Sequence, residues 1–195
     1  YLSYENNVKT VFNSGNQYRR INTSNLNNRP EQTRTVVMEK DYYVVELYPD
    51  QKRNLHTYLD EQDLFGEKVI YLERDDRSAA TEADYVMVEF FLEWSPVMAN
   101  EDVYVMGAIT DWNLDEKNKM TYDFERKGYA LSLLLKQGYY DYIYTVKEKD
   151  QTVADVGVVA GNFWETKNEY TIYLYLFDQI NNYDQLIGVK TILSH

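Results

Sequence analysis

The 195 residues include 32 Asp or Glu against 20 Lys or Arg, a formal net charge of −12, and a chain this acidic lacks the cationic surplus that neutralises nucleic-acid phosphates or anionic membrane surfaces. No cysteine is present, which excludes a disulfide framework and any thiolate metal site. Twenty Tyr against eight Gly and three Pro, in a chain of 15% aromatic content, point to β-sheets carrying rings on both faces.

The length suits one large β domain or two of about 100 residues each. No run approaches 18 consecutive apolar residues, so no membrane-spanning helix or direct membrane insertion is expected. No charged, apolar leader precedes Tyr1, and the chain starts without Met; it reads as soluble, and as a processed product or a piece of something longer.

Residues 1–35 are polar and rich in Asn, and NTSNLNNRPEQT from Asn22 to Thr33 reads as loop. Arg19 and Arg20, after Tyr18, read as a strand end with solvated arginines. TVVMEKDYYVVELYP predicts two strands meeting at Glu39-Lys40-Asp41 and ended by Pro49-Asp50. The spacing of Leu55, Tyr58 and Leu59 predicts a short helix. KVIYLER reads as a strand and RDDRSAATEAD as a charged break. DYVMVEFFLEW then sets Val86, Val88, Phe90, Leu92 and Trp94 on one core-facing side. Ser95-Pro96 stops that strand and marks the expected boundary between two β domains, 1–96 and 97–195.

In the second half, Val103 and Val105 share a strand face ahead of a loop carrying Gly107, Asp111 and Trp112. Tyr129, Leu131, Leu133 and Leu135 alternate with Ala130, Ser132 and Lys136, a β period. Tyr140, Tyr142, Tyr144 and Val146 continue it beyond Gly138, so Lys136-Gln137-Gly138 predicts a hairpin turn. VGVVAGNFW reads as a short strand or irregular segment. NEYTIYLYLFD is apolar or aromatic on both sides, with Tyr170, Ile172, Leu174 and Leu176 opposed to Thr171, Tyr173, Tyr175 and Phe177. Such a strand is expected in the middle of a sandwich or beneath a neighbouring domain. YDQLIGVKTIL adds a final amphipathic segment.

The order strand, Gly107-to-Trp112 loop, Leu131–Leu135 strand and Gly138-Tyr139-Tyr140 followed by Tyr142 and Tyr144 resembles an early-set immunoglobulin-like domain. That domain type is related to the family 48 carbohydrate-binding modules and to the glycogen-binding domain of the AMP-activated kinase β subunit. Across nearly the whole chain, the blocks GNQYRR, ELYPDQKR, EADYVMVEF, GNFWETKNEYTIYLY and YDQLIGVKTI resemble the C-terminal part of the type IX secretion system plug proteins of Bacteroidota. The resemblance implies an all-β fold of two sandwich-like domains, the second early-set. It also implies an exported, periplasmic, non-catalytic protein whose partner is the outer-membrane translocon.

No constellation for chemistry is found. His56 and the terminal His195 lack an H-E-x-x-H partner, and G-x-S-x-G and Gly-rich phosphate loops are absent. Asp111, Asp115 and Glu116 have no signal beyond what 32 acids give by chance, and LDEKNK lacks the order of a calcium loop. No catalytic residue, metal site or cofactor is therefore expected. The alternative function is a carbohydrate-binding module for an α-glucan. Against the resemblance, Trp112 matches a sugar-stacking ring and Asn168 a hydrogen-bonding amide, while Ile143 stands at the lysine position and Lys149-Asp150-Gln151 where a second tryptophan is expected. Tyr139, Tyr140, Tyr142, Tyr144, Tyr173 and Tyr175 exceed the rings one core requires and are the candidates for a partner-facing surface.

Overall fold

The computed structural model describes residues 12–27, 30–58, 60, 63–73 and 83–194. Strand accounts for 47% of the chain and helix for 4%, so the fold is an all-β sandwich. Its strands are β1 (Arg19–Asn22), β2 (Thr33–Met38), β3 (Tyr43–Leu47), β4 (Lys68–Ile70), β5 (Tyr85–Glu93), β6 (Glu101–Met106), β7 (Thr121–Asp123), β8 (Gly128–Lys136), β9 (Gly138–Glu148), β10 (Glu169–Asp178) and β11 (Tyr183–Leu193), with a one-turn helix α1 (Gly157–Ala160) after β9.

One sheet runs β2-β3-β5-β8-β7, and the other is built on β9, which pairs with β1, β4 and β6. The alternating residues of β5, Val86, Val88, Phe90 and Leu92, are all buried, as their period requires. They meet the Tyr140, Tyr142 and Tyr144 face of β9, with the Phe90 ring standing edge-on to Tyr142 at 5.1 Å between centroids. Asp141, Ile143 and Thr145 on the other face of β9 are buried too, so β9 is the doubly covered centre of the molecule.

The expected boundary at Ser95-Pro96 separates neither sheets nor cores. Residues before it pair with residues after it in β1–β9, β4–β9 and β5–β8, and one apolar cluster joins Ile21, Val45 and Phe90 to Val103, Tyr142 and Val159. A sandwich closed by strands from both halves of the chain cannot be cut at a loop between β5 and β6.

Lys136-Gln137-Gly138 is likewise not a hairpin turn, because β8 and β9 belong to different sheets. Gln137 and Gly138 form a buried corner where the chain crosses the sandwich. The Gln137 side chain donates to Thr23 O at 3.1 Å and accepts from Asp84 N at 3.2 Å, while Gly138 N donates to Thr23 Oγ1 at 3.0 Å. A Cβ at Gly138 would lie 2.3 Å from Val69 O, so the close passage of β4 demands glycine there.

The helix expected around Leu55 is a turn at residues 54–56; Leu55 is almost wholly exposed and finds no core to pack on, and Leu59 falls outside the described residues. VGVVAGNFW, expected as a short strand or irregular segment, contains α1. Asp155 Oδ1 accepts from Gly157 N at 2.7 Å, and Gly161 at φ 83 ends the turn. An apolar run this short does not reveal its period. The charged break before β5 lies mostly outside the described residues, as does His195.

β10 corrects the largest expectation. It pairs only with β11, and this two-stranded ribbon has no third strand among the described residues. Both faces are open, so the strand whose sequence most resembles an inner strand is the least covered.

Candidate interaction surface

Four of the six candidate tyrosines lie on β9. Tyr140, Tyr142 and Tyr144 are fully buried, which removes them as partner-facing residues; Tyr139 is half-buried beside Tyr71, with centroids 6.2 Å apart. The reason lies in a network below the sheets. The Tyr142 and Tyr144 hydroxyls donate to Asp50 Oδ2 at 2.7 and 2.8 Å, and Arg19 Nη1 reaches Asp50 Oδ1 at 2.5 Å. Arg19 Nη2 also donates to Gln51 O. Burial, and then the charge of Asp50, push both phenols well above their ordinary pKa and hold them neutral. Arg19, expected in solvent, is instead half of a buried ion pair, whereas the Arg20 side chain is partly exposed and lies 3.7 Å from Asp141.

Asp141 anchors the loop ahead of β4 through Oδ2, which accepts from the backbone amides of Leu64 and Gly66. Burial raises its carboxyl above the ordinary value, and the two amides pull against that rise. These buried acids serve packing. A polar cleft of about 900 Å³ opens beside them, lined by Tyr18, Arg19, Arg20, Asp50, Arg53 and His56. Its Arg19 and Asp50 neutralise each other and leave no unmatched charge from that pair for a ligand.

Trp112 follows a 3-10 turn, Ala108–Thr110, and adopts φ 60 after Asp111 at φ 50. Its backbone N–H donates to Gly107 O at 3.0 Å. The ring lies against the bare backbone of Gly66 and meets Tyr18 edge-on at 6.1 Å, leaving 44% of the residue exposed. Trp112 is thus a loop anchor with one open flank. The Asn168 amide donates to Ser14 O at 2.9 Å and Thr166 O at 3.3 Å, which ties the base of the ribbon to the segment before β1. Ile143, at the expected lysine position, is buried. The glycan residues implied by the resemblance are therefore either engaged in the fold or absent.

Tyr173 and Tyr175 behave differently, at 57% and 56% exposed. Register places Thr171 opposite Thr191, Tyr173 opposite Val189, and, after a bulge at Leu174/Tyr175, Tyr175 opposite Leu186. These side chains share one face of the ribbon with Phe177. The other face carries Tyr170, Ile172, Leu174 and Leu176 of β10 with Lys190 and Ile192 of β11. The large apolar side chains from Ile172 to Leu193 are spread over the two faces and the tip of the ribbon, and the Tyr173–Tyr175 face alone exposes roughly 600 Å² of them. A typical monomer's largest apolar patch is about 300–600 Å². The sequence carried the signal for this surface in its doubly apolar strand; it carried no signal for which layer covers it.

No protein-family model matches the chain, and no curated protein is significantly similar to it. A solved structure is similar: the crystal structure, at 2.30 Å resolution, of a hypothetical protein from Parabacteroides merdae ATCC 43184 has 38% sequence identity and a TM-score of 0.86 over 92% of this chain. The match takes in 45% of that protein, so the chain spans less than half of its length. The likeness covers sequence as well as fold.

Proposed function

We propose that the chain is a non-catalytic, periplasmic interaction protein of the kind that plugs the type IX secretion translocon, and that its docking surface is the β10–β11 ribbon. One observation carries the reading: Tyr173 and Tyr175 stand exposed on an apolar ribbon while every fully buried tyrosine of β9 is committed to the core. Docking surfaces draw most of their affinity from a few aromatic anchors, and a phenol combines apolar area with a hydrogen-bonding tip. The sequence blocks that resemble plug proteins, including YDQLIGVKTI within the ribbon itself, support the translocon as the partner. An early-set assignment for the part of the sandwich after Pro96 belongs to the same resemblance.

Binding of the chain to purified outer-membrane translocon, measured by interferometry, tests the proposal. Saturable binding is expected, and replacing both Tyr173 and Tyr175 by Ala weakens it by about 2 kcal/mol, close to thirtyfold. Absence of saturable binding overturns the reading. The α-glucan alternative rests on Trp112 alone; calorimetry with maltoheptaose separates the two, with a Kd tighter than about 100 μM favouring the glycan.

A further inference from the structure

The ribbon face that carries Tyr173 and Tyr175 has three properties that together specify an occupant. Its centre is uncharged: Thr171, Tyr173, Tyr175, Phe177, Leu186, Val189 and Thr191 share it, and the only lysine of the ribbon, Lys190, sits opposite Ile172 on the other face. The acids Glu169 and Asp184 lie at its two ends. A partner selected by charge would meet nothing to select it at the centre, and the repulsion expected between copies of a chain of net charge −12 falls on the acids at the two ends rather than on the rings between them.

The face is also self-complementary. Rings line its β10 half, at Tyr173, Tyr175 and Phe177, and aliphatic side chains line its β11 half, at Leu186 and Val189. A two-fold axis through the face sets the rings of one ribbon over the aliphatic half of the other, the arrangement an isologous contact needs. The exposed part of this face amounts to roughly 600 Å² per copy, so a face-to-face pair removes at most about 1,200 Å², the lower bound of specific interfaces. Finally, the described hydrogen bonds hold the ribbon at its base, where Asn168 N donates to Ser194 Oγ at 2.9 Å and Ser194 N donates to Asn168 O at 2.9 Å, which leaves the Tyr173–Tyr175 face open to a partner.

We propose that the occupant of this face, when no translocon is present, is a second copy of the chain: two ribbons stack through the Tyr173–Tyr175 face into a symmetric dimer. The dimer does not depend on the plug reading. If both hold, they compete for one surface, and self-association keeps the docking rings covered until the translocon displaces the partner copy.

Sedimentation equilibrium of the 195-residue chain from about 1 to 100 μM tests the dimer, with a Kd on the order of 10 μM expected for an interface of this size. Tyr173→Lys combined with Tyr175→Lys is expected to give a monomer at every concentration while the far-UV circular dichroism stays that of the parent. Because the chain has no cysteine, Val189→Cys supplies one thiol at the centre of the face, and mild oxidation is expected to cross-link it at least tenfold faster than a Cys placed at exposed Leu55. A chain that remains monomeric at 100 μM overturns the proposal and leaves the face to a different polypeptide. So does a dimer that survives the double Lys substitution, or equal cross-linking of the two thiols. Translocon binding by a chain that never dimerises sinks this inference alone; a dimer without translocon binding sinks the plug reading alone.

Discussion

Asp50→Ala is the most direct assault on the core. Its carboxylate is the shared acceptor for two buried phenols and one buried guanidinium. Stranding a buried donor costs about 1–3 kcal/mol, and removing one partner of a buried ion pair about 3–5 kcal/mol. The three groups meet at one side chain, so the terms do not add, and a loss of about 4 kcal/mol is expected. With a urea slope near 2 kcal/mol/M, that moves the unfolding midpoint down by about 2 M. Tyr142→Phe and Tyr144→Phe, each removing only a donor, are expected to lose about 1 kcal/mol apiece. The assay is urea unfolding followed by tyrosine fluorescence and circular dichroism, at low salt and in 0.5 M NaCl. The Asp50→Ala deficit should persist in salt, because buried pairs are screened far less than exposed ones. An Asp50→Ala protein within about 1 kcal/mol of the parent at unchanged slope would refute the idea that this network holds the two sheets together.

Stability is expected to fall as pH rises from about 10. Tyr18 and Tyr140 are each pushed up to about 12 by burial, with Asp63 adding to the rise at Tyr18; the unfolded chain therefore releases these protons first and is favoured increasingly between the two values. Absorbance at 295 nm would show a tyrosine class that ionises only on unfolding. Gly107→Ala is expected to lose about 2–3 kcal/mol by thermal unfolding, since φ is 146 and the new Cβ would stand 2.8 Å from Asp141 O. Trp112→Ala, which uncovers Tyr18 and the Gly66 backbone, should lose about 1–2 kcal/mol because the ring is only partly buried. It should leave calorimetric titration with maltoheptaose unchanged from the parent.

Period-2 alternation made most strands legible. The core face of β5 and the Glu39–Asp41 turn between β2 and β3 follow directly from it, since a sheet buried on one side repeats every second residue. The crossing at Gln137-Gly138 was not legible, because K-Q-G between two alternating runs is also what a hairpin looks like; the difference lies in Thr23, 115 residues away, which satisfies Gly138 N. Arg19 reads as a solvated charge until Asp50 and the β9 phenols are brought beneath it. The candidate surface was half legible. Alternation assigns Tyr142 and Tyr173 the same local pattern, and only the count of covering layers separates a strand with three neighbours from one with a single neighbour.

The central position of β9 has a consequence for how the molecule reaches its fold. Ile21 pairs with Tyr140, Val69 with Tyr139, and Val103 with Val146, so the partners of one strand are gathered from points scattered along everything that precedes it. Until β9 has been synthesised, β1, β4 and β6 have no central strand to pair with, and loop closures this long slow folding relative to a fold built from neighbouring hairpins. The interval before β9 arrives is also when exposed strand edges are most prone to wrong pairing.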